Sequence, residues 1–261
     1  MTALIALPLL VAFILFANSA MFSLFILAVS WLGLNEFYNL GLPSGLSVER
    51  KIAASGGTFL VGIIAFGGSM FALPALVGLF VFMALVFLFR FDDVSRVSGH
   101  LSLICIGFFY VPLLTAHIAL LRNIDFGREW IFFVLLSIMA CDTAAYFTGT
   151  SLGRHKLYPA VSPKKSIEGA LGGVAGSVAA ALMVKFTFFP ALSLFDCLAL
   201  GIFLSLAGQL GDLFESLLKR SFDVKDSGNL IPGHGGILDR LDSLLFAFPL
   251  AYYYARYFFH A

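Results

Sequence analysis

Nine apolar runs, each a candidate for a membrane-spanning helix, divide almost the whole chain of 261 residues. A helix that crosses the hydrocarbon core of a bilayer needs about 20 apolar residues, or about 17 if it is short. The first two runs are joined only by Asn18 and Ser19, so one broken helix there would lower the count to eight. We favour a tight hairpin, and therefore nine spans in an all-α, polytopic integral membrane protein. The cores of the runs lie approximately at residues 3–17, 20–34, 52–66, 71–90, 100–121, 130–149, 169–189, 191–208 and 243–259.

The composition excludes several other classes of protein. Hydrophobic residues make up 60% of the chain and charged residues only 12%, whereas soluble domains have roughly 45–50% apolar and about 25% charged residues. A soluble enzyme and a disordered tail are therefore excluded. The formal net charge is +1, which provides no field to hold a polyanion, so we expect no nucleic-acid partner.

The basic residues indicate the orientation of the chain in the membrane. With nine spans, twelve of the sixteen lysines and arginines fall on the side of the N-terminus. Because basic loops favour the cytoplasm, we expect the N-terminus and these loops to be cytoplasmic. Two of the cytoplasmic segments, 150–168 and 209–242, hold half of the basic residues. The chain shows no soluble extension or transit peptide, and we therefore expect a multi-pass protein of a bacterial inner membrane.

Residues 208–220 continue the eighth span with helical spacing. Asp212, Glu215, Ser216 and Lys219 stand at positions i, i+3, i+4 and i+7, which places them on one face of a helix. These residues could form part of a reactive site. They could equally form a ladder of i, i+4 ion pairs on a solvated helix end.

A glycine-rich turn and two aspartates follow. The segment Pro232–Gly236 breaks any helix and exposes successive backbone N–H groups, which can bind phosphate oxygens. Asp239 and Asp242 then stand at i and i+3 in the first turn of an apolar helix. Together with Asp212 they would form an oxygen-only site suited to Mg²⁺. The alternative for Asp239 and Asp242 is that they only complement the helix dipole.

Two further polar features lie upstream. Lys164 and Lys165, beside Ser162, could hold a triphosphate or an anionic lipid headgroup, or could simply anchor the loop to anionic lipids. Asp142 lies inside the sixth span, where an ionisable side chain is a functional candidate, although it could be a structural hydrogen-bonding partner. The glycines at the start of the seventh span predict close packing of two helices.

These features favour an enzyme over a transporter. A transporter would bind its substrate near the membrane midplane on broken helices, whereas most charged residues of this chain lie outside the apolar runs. The residues alone therefore indicate a cytoplasmic, Mg²⁺-dependent, phosphate-handling site at the membrane surface.

The segment Ser216–Asp242 resembles the full signature of the phosphatidate cytidylyltransferases (CDP-diacylglycerol synthases). It reads SLLKRSFDVKDSGNLIPGHGGILDRLD. Asp142–Tyr146, Ser162–Gly169 and Gly211–Ser216 add supporting motifs. The resemblance covers the C-terminal half, so we divide the chain into membrane spans at 1–129 and a catalytic membrane region at 130–261. Ser166-Ile167 stands where many members have Thr-Trp.

The resemblance implies an activity and a set of partners. CTP and phosphatidate would be converted to CDP-diacylglycerol and pyrophosphate by a homodimer, with Mg²⁺ and with K⁺ as a second cation. Asp212 and Asp239 match the aspartates that hold the metals in similar family members. The matching lysines and the Pro232–Gly236 loop would bind phosphates. Alternative functions are a CTP-dependent enzyme that acts on another lipid phosphate or a polyprenol, and an ion-coupled transporter.

The resemblance also assigns hypothetical roles. The residues expected to be catalytic are Asp212, Asp239, Lys219, His234 and Asp242, with Asp242 as a metal ligand or as a partner of one. His234 could accept a proton from phosphatidate or donate a hydrogen bond to the triphosphate. The residues expected to bind substrate are Ser162, Lys164, Lys165, Arg220, Lys225, Asp226, Gly235, Gly236 and Asp142.

Overall fold

The computed structural model describes residues 2–91, 93–228, 230 and 235–259. These parts of the chain are almost entirely helical, and they include one short two-stranded sheet. The helices are α1 (Thr2–Phe16), α2 (Ser19–Gly41), α3 (Ser47–Gly67), α4 (Ala72–Phe89), α5 (Val94–Phe108), α6 (Leu114–Arg122), α7 (Gly127–Leu152), α8 (Ile167–Thr187), α9 (Leu194–Ser221) and α10 (Leu238–Tyr257). The strands are β1 (Lys156–Tyr158) and β2 (Ser162–Ser166).

The prediction of an all-α polytopic membrane protein is confirmed. Within the described residues, six helical stretches are long and apolar enough to cross a membrane. The other three predicted spans correspond to α1, which has 15 residues, and to α3 and α10, which carry charged residues in their first turns. The count of nine stays a prediction. The six stretches are Ser19–Gly41, Ser69–Phe89, Val94–Arg122, Gly127–Leu152, Ile167–Thr187 and Leu194–Ser221.

The first two helices are separated by a sharp bend at Ala17 and Asn18. The Asn18 side chain accepts a hydrogen bond from the backbone N–H of Met21 at 2.8 Å and so caps the start of α2. The ring of Phe13 on α1 lies 5.0 Å from the ring of Phe25 on α2. In one straight helix these residues would be about 18 Å apart. The chain therefore bends sharply between α1 and α2 and does not continue as one straight helix, while the choice between a hairpin of two spans and one broken helix stays a prediction.

The chain forms two compact units. The first unit comprises Met1–Asn123 and Asp226–Leu238, and the second comprises Ile124–Lys225 and Asp239–Ala261. The predicted division at residue 129 rests on motifs rather than on packing and stays a prediction.

In the first unit, Tyr38 fixes α2 against α5. Its side chain is fully buried, and its hydroxyl donates a hydrogen bond to the carbonyl of Ile104 at 3.0 Å. Gly107 permits this approach, because a Cβ atom there would overlap the ring of Tyr38. A π-helical turn, Phe109–Leu113, joins α5 to α6 and contains Pro112, whose missing N–H interrupts the regular helical pattern. Helix α2 is thereby held in a defined position.

In the second unit, α7 and α8 pack closely through glycines, as the sequence predicts. A Cβ atom at Gly176 would come 2.7 Å from the carbonyl oxygen of Ala140, and one at Gly173 would come 3.0 Å from the Cys141 sulfur. Small residues allow two helix backbones to approach in this way. Helix α9 begins with a capping box of Ser193 and Asp196 and continues without a break to Ser221. The predicted extension of the eighth span through residues 208–220 is confirmed.

Candidate functional site

The hairpin of β1 and β2 presents the two adjacent lysines of the candidate site. The Glu168 side chain, in the first turn of α8, accepts hydrogen bonds from the backbone N–H groups of Arg154 and His155 at 3.1 and 3.2 Å. The Nδ1 atom of His155 lies 2.6 Å from the same carboxylate. Ser166 at the end of β2 caps α8 through the N–H of Gly169. The hairpin that carries Lys164 and Lys165 is therefore anchored at its base.

A cavity of about 380 Å³ lies within the second unit, between this hairpin and helices α7, α8 and α9. Four of the predicted site residues line it. They are Asp142 on α7, Lys164 and Lys165 on β2, and Asp212 on α9. The fold thus brings together side chains from three segments that the sequence analysis treated as separate features.

An ion pair joins two walls of this cavity. The Nζ atom of Lys165 lies 2.6 Å from Oδ2 of Asp212, and both side chains are about 30% exposed. The carboxylate of Asp212 also repels those of Asp142 and Asp242, since the three lie within electrostatic range of one another. The Lys165 ammonium group therefore attracts Asp212 and Asp142, while Asp242 adds a third carboxylate that repels both.

A second, more buried cluster forms where α9 meets the start of α10. The Nζ atom of Lys219 lies 2.6 Å from Oδ1 of Asp239 and 2.5 Å from Oε2 of Glu215. The Lys219 side chain is 13% exposed, and those of Glu215 and Asp239 are 3% and 8% exposed. The i, i+4 pair predicted for a solvated helix end is therefore present, but it is buried and extends to a second helix. Glu215 is also repelled by Asp242, which links the two clusters.

The linked clusters carry a surplus of negative charge. Together with Lys164, which lines the same cavity, they contain five carboxylates and three ammonium groups among the described residues, so they have two more negative than positive charges when all are ionised. The carboxylates belong to Asp142, Asp212, Glu215, Asp239 and Asp242. Among the described residues, no three His, Cys, Asp or Glu side chains stand close enough to hold a metal ion as they lie. By charge and by donor type the residues nevertheless fit a hard divalent cation, which oxygen ligands prefer.

Three of the predicted substrate-binding residues lie in the second unit but are absent from the lining of the cavity. Ser162 begins β2. The guanidinium of Arg220 donates a hydrogen bond to the carbonyl of Val224 at 3.0 Å, and Lys225 is exposed. The structure does not bring these three residues into the Lys165 and Asp212 site.

The remaining predicted residues lie around the glycine-rich segment of the first unit. Asp226 is exposed. Gly235 has a φ of 81°, which favours glycine. Gly236 is buried beside the hydroxyl of Ser227. His234 lies outside the described residues, so its assigned role stays a prediction.

Several residues that the site prediction omitted contribute to the second unit's site. Tyr146, Thr150 and Gln209 line the cavity. The amide of Gln209 donates to the hydroxyl of Ser205 at 2.9 Å and to the carbonyl of Ala170 at 3.2 Å. A long polar side chain within an apolar helix was the available signal for Gln209. Glu215 could have been selected from its place on the predicted stripe of α9.

Comparison with known proteins finds relatives over nearly the whole chain. The model of the cytidylyltransferase family matches residues 1–258. A phosphatidate cytidylyltransferase of Bacillus subtilis is 43% identical over 166 residues, which are 63% of this chain and 59% of that protein. Two staphylococcal proteins of the same name are each 34% identical. The Staphylococcus saprophyticus alignment covers 91% of this chain and 90% of the relative, and the Staphylococcus epidermidis alignment covers 96% and 95%.

Proposed function

Because this chain belongs to the cytidylyltransferase family, we propose that it is a membrane enzyme that converts CTP and phosphatidate to CDP-diacylglycerol and pyrophosphate. The class of enzyme follows from the family, whose members transfer a cytidylyl group. The choice of phosphatidate as acceptor is supported by the names of the relatives. The observation that carries the proposal is the cavity in which Lys165 pairs with Asp212 beside Asp142. It offers two lysines for phosphates and two carboxylates for a cation in one place.

The proposed reaction is an in-line displacement at the α-phosphorus of CTP. An oxygen of the phosphatidate phosphate forms a new bond to that phosphorus, and the bond to the oxygen that bridges the α and β phosphates breaks. The electron pair of the broken bond leaves with pyrophosphate. The attacking oxygen is already anionic, so the protein need not provide a covalent nucleophile. Catalysis then depends on positioning and on neutralising charge.

The roles of the protein's own residues follow from their positions. Lys164 and Lys165 would bind phosphate oxygens in the cavity, and the hairpin anchored by Glu168 would keep them there. Lys219 would hold Asp239 in place through their 2.6 Å contact. Asp212 and Asp239 would hold Mg²⁺, with Asp242 as a ligand or as a partner of one. When bound, Mg²⁺ would neutralise charge on the triphosphate.

Other parts of the proposal come from the resemblance rather than from this geometry. K⁺ as a second cation, a homodimeric state, and binding of phosphates by Arg220 and Lys225 stay proposals of this kind. So does the placement in a bacterial inner membrane with the active site facing the cytoplasm. The chain is a multi-pass membrane protein, and a site at the membrane surface would allow a lipid and a water-soluble nucleotide to meet.

The first experiment is a transfer assay with the purified full chain in detergent. Labelled CTP and Mg²⁺ are supplied with phosphatidate, an isoprenoid ether phosphate or a polyprenol as the acceptor. We expect labelled CDP-diacylglycerol and one equivalent of pyrophosphate, with phosphatidate the preferred acceptor. Preference for another acceptor would favour the related enzyme. No CDP-lipid from any acceptor, together with solute flux across proteoliposomes without CTP consumption, would favour a transporter.

A variant tests the assignment of Asp239. We expect Asp239→Asn to abolish Mg²⁺-dependent turnover while the protein stays folded in detergent. Asp239 is both a proposed metal ligand and the partner of Lys219, and the substitution removes its charge. Asp93→Asn is a matched control, since Asp93 is an exposed helix cap in the other unit. Wild-type turnover in Asp239→Asn would contradict the metal assignment.

A further inference from the structure

Glu36 is the acidic residue of α2 and lies far along the chain from the family signature. Among the described residues, three of that signature donate hydrogen bonds to its carboxylate. The donors are the backbone N–H of Ile237 at 2.9 Å, the backbone N–H of Leu238 at 3.1 Å and the hydroxyl of Ser227 at 3.2 Å. All four residues belong to the first unit. In the sequence, Glu36 stands two residues beyond the apolar run at residues 20–34.

Two of these hydrogen bonds satisfy the start of α10. The first N–H groups of a helix have no partner within the helix, and a negative charge beside them is favourable because of the helix dipole. Glu36 meets both conditions for the N–H groups of Ile237 and Leu238. The cap is supplied by a residue about 200 positions earlier in the chain, so it fixes tertiary as well as local structure.

Two glycines beside this carboxylate leave the space that it occupies. A Cβ atom at Gly228 would come 2.9 Å from Oε1 of Glu36. A Cβ atom at Gly236 would overlap both the carboxylate of Glu36 and the hydroxyl of Ser227. Both glycines therefore allow the backbone to approach Glu36 more closely than any other residue would permit.

An apolar contact on the same face of α2 supports the polar one. Gly33 lies one helical turn before Glu36, and a Cβ atom at Gly33 would come 3.1 Å from a methyl carbon of Leu238 and 3.7 Å from one of Ile237. Helix α2 thus binds the Ile237 and Leu238 segment through the packing of their side chains as well as through Glu36.

These contacts fix both ends of the glycine-rich segment. Ser227 and Gly228 lie shortly before the Pro232–Gly236 loop in the chain, and Gly236–Leu238 lie at its end. All five residues contact or closely approach the carboxylate of Glu36. Asp239, which pairs with Lys219, follows Leu238 directly in the chain. We propose that Glu36 is a positioning residue of the active site, which sets the ends of the glycine-rich segment and thereby the backbone position from which Asp239 projects. This inference rests on the proposed cytidylyltransferase function.

The test compares Glu36→Gln with Glu49→Gln. Both replace a glutamate of the first unit by its neutral amide. Glu49 is 4% exposed and pairs with Arg90 at 2.9 Å, and it has no bond to the glycine-rich segment among those described. In the CTP and phosphatidate assay we expect Glu36→Gln to lower kcat at least tenfold, whereas Glu49→Gln keeps kcat within twofold of wild type. Equal losses of kcat in the two variants would overturn the proposal.

A second measurement does not depend on activity. Hydrogen–deuterium exchange of the peptide that contains Ile237 and Leu238 should be faster in Glu36→Gln than in wild type, and unchanged in Glu49→Gln. Unchanged exchange in Glu36→Gln would overturn the proposal. If wild type makes no CDP-lipid but Glu36→Gln still accelerates this exchange, the proposed function fails while the structural part of this inference holds.

A double-mutant cycle separates positioning from a general loss of folding. Ser227→Ala removes one of the three hydrogen bonds to Glu36. If the two residues act through the same contact, the double variant Glu36→Gln with Ser227→Ala should lose little more kcat than Glu36→Gln alone. Losses that multiply would show that the residues act independently and would contradict the proposal. Two measurements would show that each variant is folded. Its elution volume on size exclusion should equal that of wild type, and CTP should still raise its thermal unfolding temperature.

Discussion

Glu36 and Glu49 in the first unit each face partners that balance them, whereas the carboxylates around the cavity of the second unit outnumber the cations near them. Glu36 meets two N–H groups and a hydroxyl, and Glu49 meets Arg90. In the second unit, the described residues around the cavity include three ammonium groups, of Lys164, Lys165 and Lys219, among five carboxylates. A balanced carboxylate stabilises structure, while a surplus of them indicates a place for a cationic ligand.

The largest effect that this comparison predicts is at Asp212. We expect Asp212→Asn to lower kcat about 100-fold or more, a loss of the size seen when one electrostatic contact to a transition state is removed. The variant removes a proposed metal ligand and the partner of Lys165. Steady-state assays across a range of Mg²⁺ concentrations would measure it. If the loss disappeared at high Mg²⁺, Asp212 would serve affinity for the metal rather than turnover.

Lys165 is the cationic partner of Asp212, and its substitution tests the positive charge of the same ion pair. We expect Lys165→Met to lower kcat/KM for CTP about 10- to 100-fold, because a phosphate-binding charge is lost and Asp212 and Asp142 repel each other unopposed. Lys165→Arg should retain more activity than Lys165→Met. Lys185→Met is the control, since Lys185 on α8 is bonded to the carbonyl of Leu192 and is absent from the lining of the cavity. Equal losses of kcat/KM in Lys165→Met and Lys185→Met would contradict a specific role for Lys165 in binding CTP.

Local features of the site were predictable from the sequence. The i, i+4 spacing placed Glu215 and Lys219 on one face of α9, and they form an ion pair. The start of α10 at Leu238, with Asp239 in its first turn, also follows from the glycine-rich turn and the apolar run behind it. Helix periodicity determines such contacts within a few residues, so a single sequence is sufficient to find them.

Contacts between distant segments were not predictable in the same way. The pairing of Lys165 with Asp212 depends on how β2 and α9 pack, and the bonds from Glu36 to Ile237 and Leu238 join residues about 200 positions apart. No periodic pattern encodes such distances. Glu36 therefore resembled any charged residue at the end of an apolar run, although it caps a helix of the family signature.

Glu168 predicts a smaller effect, because it acts on the hairpin rather than on substrate. We expect Glu168→Gln to lower kcat/KM for CTP about tenfold, since a charged acceptor of two backbone N–H groups becomes neutral and the base of the hairpin is held less firmly. The effect should appear in KM more than in kcat if the hairpin mainly binds the nucleotide. A kcat effect alone would place Glu168 in the chemical step. His155→Ala, which removes a side-chain partner of Glu168, should have a weaker effect of the same kind.

The smallest effect on catalysis is expected at Glu49, which is paired with Arg90 and has no proposed role in the site. Glu49→Gln leaves Arg90 without its partner, but the Arg90 side chain is 54% exposed, so water replaces much of the lost interaction. We therefore expect the free energy of unfolding in detergent to fall by about 1 kcal/mol, with turnover per folded molecule unchanged. Thermal unfolding and the CTP assay on the same preparation would measure both quantities. A selective loss of turnover at Glu49 would mean that a carboxylate that is paired with an arginine, and has no described bond to the glycine-rich segment, also serves catalysis, and the contrast drawn between Glu36 and Glu49 would then fail.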